Sequence, residues 1–396
     1  MGDLSLRVFI LAGEASGDAL GAALVKELRV LAPDIQIAGV AGPLMQAEGV
    51  ESLYSMDELS VMGIAEVLPR YFHLLRRLRQ TATACSKFRP HALITIDSPD
   101  FSLRLAKLAK RLVPELHAIH YVAPSVWAWR PGRAAHMAQV IDQVLALLPF
   151  EPPYMERAGM RCDFVGHPVV AEPVASDAEV AEFRAAQDIG EAPLCLVLPG
   201  SRKSEIARLG PVFGETIAKI HAHRSDVKFL LPMAHGVVDM VRDQISDWAV
   251  KPILLDPSTQ SLATALQQKR AAFRAADVAM AASGTVSLEL AAADTPMVIA
   301  YDQSWLTAQI MRRMVRIDTV TLVNLVSETR SVPEFLLENC QPDAIAGAVL
   351  DTLANPAEQR AAAALTMERL GRGGQSPGAR AAHAVLEGIA EGYLRS

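Results

Sequence analysis

The feature that most constrains the fold is an alternation of short apolar runs with amphipathic helical patterns along the first part of the chain. Helical patterns such as those at residues 19–31 and 102–112 separate apolar runs at residues 6–12, 35–41, 92–96, 116–122 and 143–148. Apolar runs of this length are typical of strands that are buried on both faces of a sheet. The alternation therefore predicts a parallel β-sheet with helices packed on both faces.

The same alternation starts again after a turn-rich stretch that contains Pro149, Pro152 and Pro153. Its apolar runs lie at residues 194–198, 227–231, 253–255, 278–281 and 297–300. Because a chain of 396 residues is too long for one ordinary core, we predict an α/β protein with two Rossmann-like domains facing a central cleft. We expect these domains at residues 1–170 and 171–350, and we expect the helices of residues 351–396 to return to the N-terminal domain.

Composition argues against several classes of protein. Apolar residues make up 51% of the chain and charged residues 21%, which is globular, and a net charge of −6 does not suggest nucleic-acid binding. The four cysteines lack zinc-site spacing and the ten histidines form no metal motif, so we expect reduced, buried thiols, no metal and no other cofactor. No apolar stretch has the length of a signal-peptide core or a membrane-spanning helix. We therefore expect a cytoplasmic protein, either free or held at a membrane surface.

A glycine-containing loop follows the first predicted strand, with the sequence AGEASGD at residues 12–18. Its spacing differs from that of dinucleotide-binding loops. Glu14 and Asp18 would repel a bare phosphate and suit the hydroxyl groups of a sugar better, and Ser16 lies between them. The alternative interpretation is a tight turn in which Ser16 or Asp18 caps the following helix.

Asp97 is the candidate general base because it follows the predicted strand at residues 92–96 and so lies at a carboxyl end. A carboxylate there is able to take the proton of an attacking hydroxyl group. The alternative is that Asp97 only shapes a turn. Asp100, three residues further on, is expected to cap the next helix.

An aromatic loop with the sequence HYVAPSVWAWR occupies residues 120–130, at another strand end. Ser125, Trp127 and Arg130 are candidate contacts to the acceptor, and Arg130 adds positive charge that suits a phosphate. Aromatic packing between the two domains is the alternative.

Two strand ends of the second domain carry nucleotide-site features. Gly200, Ser201 and Arg202 follow the run at residues 194–198 and offer backbone, hydroxyl and guanidinium contacts to a diphosphate, although a capped turn also fits them. Further on, glycine and hydroxyl side chains precede a carboxylate that is able to accept ribose hydroxyls; these residues are Ser283, Gly284, Thr285 and Glu289. The alternative for this second group is again structural.

Seven motifs occur in the order known from one family: AGEASGD, VMGIAEVL at residues 61–68, IDSPDF, HYVAPSVWAWR, VGHP, LPGSR, and ASGT followed by Glu289. The chain resembles the lipid-A-disaccharide synthase family over about residues 7–390. The resemblance implies a GT-B fold and an inverting transfer of 2,3-diacylglucosamine from its UDP carrier to 2,3-diacylglucosamine 1-phosphate, lipid X. The products would be a β-1,6-linked disaccharide 1-phosphate and UDP, formed without a metal at the inner face of the bacterial cytoplasmic membrane.

The resemblance also implies residue roles. Asp97 matches the family's proposed base and Glu14 its glycine-loop carboxylate. The positions that match the UDP site are Arg202, Ser283, Gly284, Thr285 and Glu289. Asn324 matches a family asparagine, but Val323 stands where the family usually has proline.

Acyl chains and a membrane would need an apolar surface, which we expect from residues 61–79. The candidates for this membrane patch are Val61, Met62, Phe72, Arg76 and Arg77, since aromatic and basic side chains together suit anionic lipid. An ordinary core-facing helix with a solvated basic face is the alternative. Apolar residues at 311–323 suggest a homodimer contact.

Two other functions fit parts of the pattern. A different GT-B enzyme, such as a UDP-sugar 2-epimerase or a peptidoglycan glucosaminyltransferase, would share the diphosphate site but is not expected to carry HYVAPSVWAWR or IDSPDF. A non-catalytic UDP-sugar-binding regulator would not need Asp97 and Glu14.

Overall fold

The computed structural model describes residues 5–59, 64–130, 132–303 and 317–395. Its contacts divide the chain into two compact units. Unit 1 comprises residues 1–168 and 373–396, and unit 2 comprises residues 169–372.

Unit 1 contains a seven-stranded parallel sheet in the order β3-β2-β1-β4-β5-β6-β7. The strands are β1 (Arg7–Ala12), β2 (Gln36–Val40), β3 (Glu51–Ser52), β4 (Ala92–Ile96), β5 (His117–Tyr121), β6 (Gln143–Ala146) and β7 (Arg161–Phe164). The helices between them are α1 (Ala15–Leu31), α2 (Pro43–Ala47), α3 (Ile64–Phe88), α4 (Pro99–Leu112), α5 (Gly132–Met137) and α6 (Pro152–Glu156).

Unit 2 contains a six-stranded parallel sheet in the order β10-β9-β8-β11-β12-β13. The strands are β8 (Leu194–Leu198), β9 (Lys228–Pro232), β10 (Ile253–Leu255), β11 (Val278–Ala282), β12 (Met297–Tyr301) and β13 (Glu334–Leu336). The helices are α7 (Asp177–Ala186), α8 (Lys203–His223), α9 (Val238–Ile245), α10 (Leu262–Ala275), α11 (Val286–Ala292), α12 (Leu322–Ser327), α13 (Pro342–Ala354) and α14 (Ala357–Arg369).

The last helix, α15 (Pro377–Arg395), belongs to unit 1 and packs along α1. The approach is close, since a Cβ on Gly378 would lie 2.9 Å from the carbonyl oxygen of Ala23. The Nε2 of Gln143 donates a 2.8 Å hydrogen bond to the carbonyl of Ala384 and so links α15 to β6. Helix α14 instead packs on α11 and α12, so the segment that joins unit 1 starts at Gly373 rather than at residue 351.

The central strands explain why the apolar runs predicted the fold. All five residues of β4, β8 and β11 are buried, as strands covered by helices on both faces must be. Each large aliphatic side chain buried there stabilises its unit by about 1.5–3 kcal/mol. The prediction of an α/β protein with two Rossmann-like parallel sheets is confirmed. All four cysteines are free and buried.

Candidate functional site

Unit 2 holds a cavity of about 610 Å³ at the carboxyl ends of its strands. The loop after β8, the ends of β9 and β10, helix α10 and the start of α11 form its walls. Ligands of open parallel sheets bind at this edge, and the volume is within the range of about 300–1,000 Å³ for small-molecule sites. The predicted residues Gly200 to Arg202, Ser283 to Thr285 and Glu289 all line this one cavity.

The loop between β8 and α8 is held in place by hydrogen bonds to a side chain of α8. The Glu205 carboxylate accepts hydrogen bonds from the backbone N–H groups of Ser201 at 3.1 Å and Arg202 at 3.3 Å, and from the Arg202 guanidinium at 3.0 Å. Gly200 has a φ of 118°, and a Cβ there would lie 2.4 Å from Glu205 Oε2, so both conformation and space require glycine. The loop is therefore a capped turn, as one interpretation of the sequence had it, and the Arg202 side chain is also exposed, as a diphosphate contact would require. The sequence analysis allowed a capped turn here but assigned no role to Glu205, although a glutamate three residues after the N-cap is a known capping signal.

The loop after β11 is open towards the cavity. Gly284 and Thr285 are exposed, and apart from its chain neighbours no atom of the described residues lies within 4 Å of a Cβ built on Gly284. The Ser283 N–H is used inside the sheet, where it donates to the carbonyl of Ala300 at 3.0 Å. The Thr285 side chain makes no capping hydrogen bond and is therefore available to a ligand.

Glu289, the predicted ribose-binding carboxylate, lies on α11 and forms an ion pair with Lys269 of α10. The Lys269 Nζ also lies 5.2 Å from the centroid of the Phe273 ring. Both charged side chains line the cavity, so a ligand hydroxyl that reaches Glu289 also meets an ammonium group. Lys269 was not predicted, because its partner is 20 positions away and no local pattern relates them.

Asn324 does not line this cavity, which corrects its assignment to the UDP site. Only 1% of the residue is exposed. Its amide donates to the carbonyl of Val332 at 2.9 Å and to Thr319 Oγ1 at 3.2 Å, and its oxygen accepts from the Val332 N–H at 3.0 Å. The side chain is fully used in holding the segment before β13 against α12.

In unit 1, strands β4 and β5 are adjacent, and residues that follow their carboxyl ends have positive φ angles. Asp97 has a φ of 51°, Ser98 a φ of 44° and Val122 a φ of 82°. Positive φ is unfavourable for a β-branched residue such as Val122, and such strain is typical of functional sites. Asp97 is half-buried, and its Oδ1 accepts the Ser98 N–H at 2.9 Å. Asp100 is 97% exposed and makes no helix cap, since Ser98 occupies the cap position.

The loop after β1 adjoins that of β4, because these strands pair with Ala12 opposite Ile96. A Cβ on Gly13 would lie 2.7 Å from Ser98 Oγ, so the two loops are in contact. Glu14 is the N-cap residue of α1, but its side chain makes no capping hydrogen bond. Ser16 is exposed on the first turn of α1. Neither Ser16 nor Asp18 caps α1.

Asp18 is buried, with 2% exposure, and does not face a ligand. Its carboxylate accepts the backbone N–H groups of Gly42 at 3.0 Å, Leu44 at 2.8 Å and Met45 at 3.1 Å. It therefore holds the start of α2, and the expectation that it binds sugar hydroxyls or caps its own helix is wrong.

The aromatic loop is anchored within unit 1. Trp127 Nε1 donates to the Glu151 carboxylate at 3.3 Å, and its ring packs edge-on against Phe150 at 5.1 Å between centroids. Ser125 is exposed, and the exposed guanidinium of Arg130 lies 4.4 Å from the Trp129 ring centroid. Burial raises the pKa of Glu151 to about 7. Glu151 was not predicted as a partner of this loop, because it lies 24 positions from Trp127, in the connection between β6 and β7.

The predicted membrane patch is only partly exposed. Phe72 is 83% exposed and packs against Tyr71, and Arg76 is exposed. Arg77 is wrong as a lipid contact: it donates two hydrogen bonds to Glu58, at 2.7 and 2.6 Å, and lies 4.5 Å from the Tyr54 ring centroid. Arg77 also holds the pKa of Glu58 below its ordinary value. Val61 and Met62 lie outside the described residues.

Within the ranges given above, no group of three or more histidine, cysteine, aspartate or glutamate residues is arranged to hold a metal ion. No described helix is both long enough and apolar enough to cross a membrane.

Solved structures share this two-sheet architecture. The UDP complex of S. aureus MnaA matches with a TM-score of 0.62 at 10% identity, over 98% of this chain and 97% of that one. The UDP-GlcNAc 2-epimerase of Neisseria meningitidis, bound to UDP-GlcNAc, matches with a TM-score of 0.59 at 11% identity, over 98% and 99%. The two parallel sheets and these matches define a two-domain α/β protein with a fold of the GT-B type.

The family model for lipid-A-disaccharide synthetase matches residues 8–387. The chain belongs to the lipid-A-disaccharide synthase family and is a glycosyltransferase of lipid A biosynthesis. The lipid-A-disaccharide synthase of Ruegeria pomeroyi is 59% identical, over 96% of this chain and 95% of the relative. That of Rhodospirillum centenum is 42% identical, over 97% and 95%.

Proposed function

We propose that this enzyme transfers 2,3-diacylglucosamine from UDP-2,3-diacylglucosamine to lipid X, which yields the β-1,6-linked disaccharide 1-phosphate and UDP. The observation that carries the proposal is the family match over residues 8–387, and it is supported by one cavity that is lined by the residues expected to contact the diphosphate and the ribose. The same match argues against the 2-epimerase and peptidoglycan alternatives, which share only the fold.

The donor nucleotide occupies the cavity of unit 2 in this proposal. Its diphosphate lies against the loops after β8 and β11, where Arg202 supplies a guanidinium and Ser201, Ser283 and Thr285 supply hydroxyl groups. Glu289 accepts the ribose hydroxyls. The cavity also reaches the end of β10, two strands away from β8, or about 10 Å at the usual spacing between strands. That length suits an extended nucleoside diphosphate.

The acceptor is activated in unit 1. The oxygen of its 6-hydroxyl attacks the anomeric carbon of the donor, the bond from that carbon to the phosphate oxygen breaks, and the hydroxyl proton passes to the carboxylate of Asp97. The Arg202 guanidinium offsets the charge that develops on the departing diphosphate. Glu14 and the exposed side chains of Ser16, Ser125 and Arg130 are the proposed acceptor contacts, and Trp127 shapes their loop.

The acylated substrates place the enzyme at a membrane surface, which we propose is the inner face of the inner membrane. The exposed pair Tyr71 and Phe72, next to the exposed Arg76, supports this assignment because aromatic and basic groups favour an anionic interface. A homodimer contact was proposed from apolar residues at 311–323. Residues 311–316 lie outside the described residues, and Val323 is buried within unit 2 and is therefore not part of such a contact.

The test is a turnover assay with purified protein, UDP-2,3-diacylglucosamine and lipid X, read by mass spectrometry. We expect the disaccharide 1-phosphate and an equal amount of UDP. A parallel reaction with UDP-GlcNAc tests for 2-epimerisation. Binding of the donor without turnover would support a regulatory protein, and epimerised product without disaccharide would overturn the proposal.

A further inference from the structure

Gln260 occupies the connection between β10 and α10, and its side chain lines the cavity of unit 2. Its Nε2 donates a 2.9 Å hydrogen bond to Oε1 of Gln268, the seventh residue of α10. The other end of the amide, Oε1, is buried and has no hydrogen-bond partner among the described residues. One end of this amide is therefore held by Gln268, and the other is a buried acceptor without a partner in a side chain that lines the cavity.

A buried carbonyl oxygen without a donor is unfavourable, and such groups in native proteins call for a partner. The same cavity is also lined by the apolar residues Leu255, Pro257 and Leu262, which suit the faces of a flat ring. A ligand that fits both features has a planar apolar body and one N–H on its edge. In the strand order β10-β9-β8-β11, the connection that carries this acceptor follows a strand two places away from β8 and three from β11, whose loops are the proposed diphosphate contacts.

We propose that Gln260 determines nucleobase specificity by accepting a hydrogen bond from the N3–H of uracil, with Gln268 holding the amide in that orientation. This inference rests on the proposed function, which supplies a uridine nucleotide as the ligand. Uracil carries a hydrogen at N3, whereas cytosine carries a lone pair there. With cytosine, two acceptors face each other and both lose their hydrogen bonds, so the amide rejects cytidine nucleotides.

Isothermal titration calorimetry with UDP, CDP and 3-methyl-UDP tests the assignment. The wild type is expected to bind UDP at least about tenfold more tightly than CDP or 3-methyl-UDP, since each of these leaves the amide oxygen unpaired. Gln260→Ala and Gln260→Met are expected to weaken UDP binding and to bring the UDP-to-CDP ratio close to one. Gln268→Met is expected to reduce the ratio by a smaller factor.

Gln267→Met is the matched control. Gln267 is adjacent on the same helix, but it is exposed and contacts Glu179 rather than the cavity, so wild-type ratios are expected. If both Gln260 variants are folded by circular dichroism and keep the full preference for UDP over CDP and 3-methyl-UDP, the assignment is wrong. If the wild type binds none of the three nucleotides, the proposed donor is wrong and the assignment fails with it.

Discussion

The Glu205 carboxylate lies 3.1 Å from the backbone nitrogen of Ser201, so a side chain of α8 closes the loop that precedes its own helix. The space it occupies lies directly beside Gly200, where a Cβ would come within 2.4 Å. The loop expected to contact a diphosphate is thus held in shape by an acidic residue. Its rigidity depends on a glycine and a glutamate together.

Replacing Gly200 by alanine should destabilise unit 2 by about 1–3 kcal/mol, because the added Cβ meets Glu205 and the φ of 118° is strained for alanine. Urea unfolding measures the loss. Gly347→Ala is the control: this glycine is exposed in α13 with nothing near its Cβ, and alanine there should stabilise by about 0.5–1 kcal/mol. Equal effects of the two changes would contradict the close contact.

Asp97→Asn should lower kcat by about 10²–10⁴-fold, since the variant keeps the shape of the side chain but loses the proton acceptor. The donor KM should change little, because the donor cavity belongs to unit 2. Steady-state assays with both substrates measure this. Asp100→Asn, a change at a fully exposed carboxylate three positions away, should leave kcat near that of the wild type. A folded, fully active Asp97→Asn enzyme would remove Asp97 from the base role.

Glu151 should make stability depend on pH. Its folded pKa of about 7 lies above the ordinary value of 4.5, so the folded protein binds more protons than the unfolded chain between these pH values. Stability therefore falls as pH rises through the range from about 4.5 to 7, by about 3 kcal/mol for this group. Glu151→Gln should remove that decline, measured by urea unfolding at pH 5 and pH 8. The same decline in wild type and variant would assign it to other groups.

Substitutions of the adjacent residues Arg76 and Arg77 should affect different properties, membrane binding for Arg76 and the stability of unit 1 for Arg77. Arg77→Ala should destabilise unit 1 by roughly 1 kcal/mol, because it loses the hydrogen bonds to Glu58 and the packing on Tyr54. Arg76→Ala and Phe72→Ser should leave stability unchanged and reduce flotation with anionic liposomes, with the Arg76 effect weakening at high salt. Unchanged flotation of both variants would argue against this surface as the membrane contact.

Asn324→Ala should cost about 3 kcal/mol of unfolding free energy, since the N–H and carbonyl of Val332 both lose a buried partner. The UDP affinity of the folded variant should stay near that of the wild type. The exposed Asn339, replaced by alanine, is the control and should change neither quantity. A large loss of UDP affinity without loss of stability would restore Asn324 to the nucleotide site.

The local sequence pattern was enough to predict the two sheets, because a strand that is buried on both faces has a continuous run of apolar residues, as β4 has. It also located the cavity residues Gly200 and Ser283, which directly follow such strands. It was not enough for Asp18, whose three partners begin 24 residues away, or for Arg77, whose partner Glu58 belongs to the preceding connection. Those pairings depend on which elements become neighbours, and no local periodicity encodes them.

The packing of α15 on α1 has a consequence for biosynthesis. Ala381, Ala382 and Val385 are fully buried in the core of unit 1, yet the ribosome makes them only after every residue of unit 2. Unit 2 is continuous in sequence and able to fold while the chain is still emerging, whereas the surface of α1 that receives α15 stays uncovered until residues 373–396 have been made. The unit whose synthesis begins first is therefore the unit whose core is completed last.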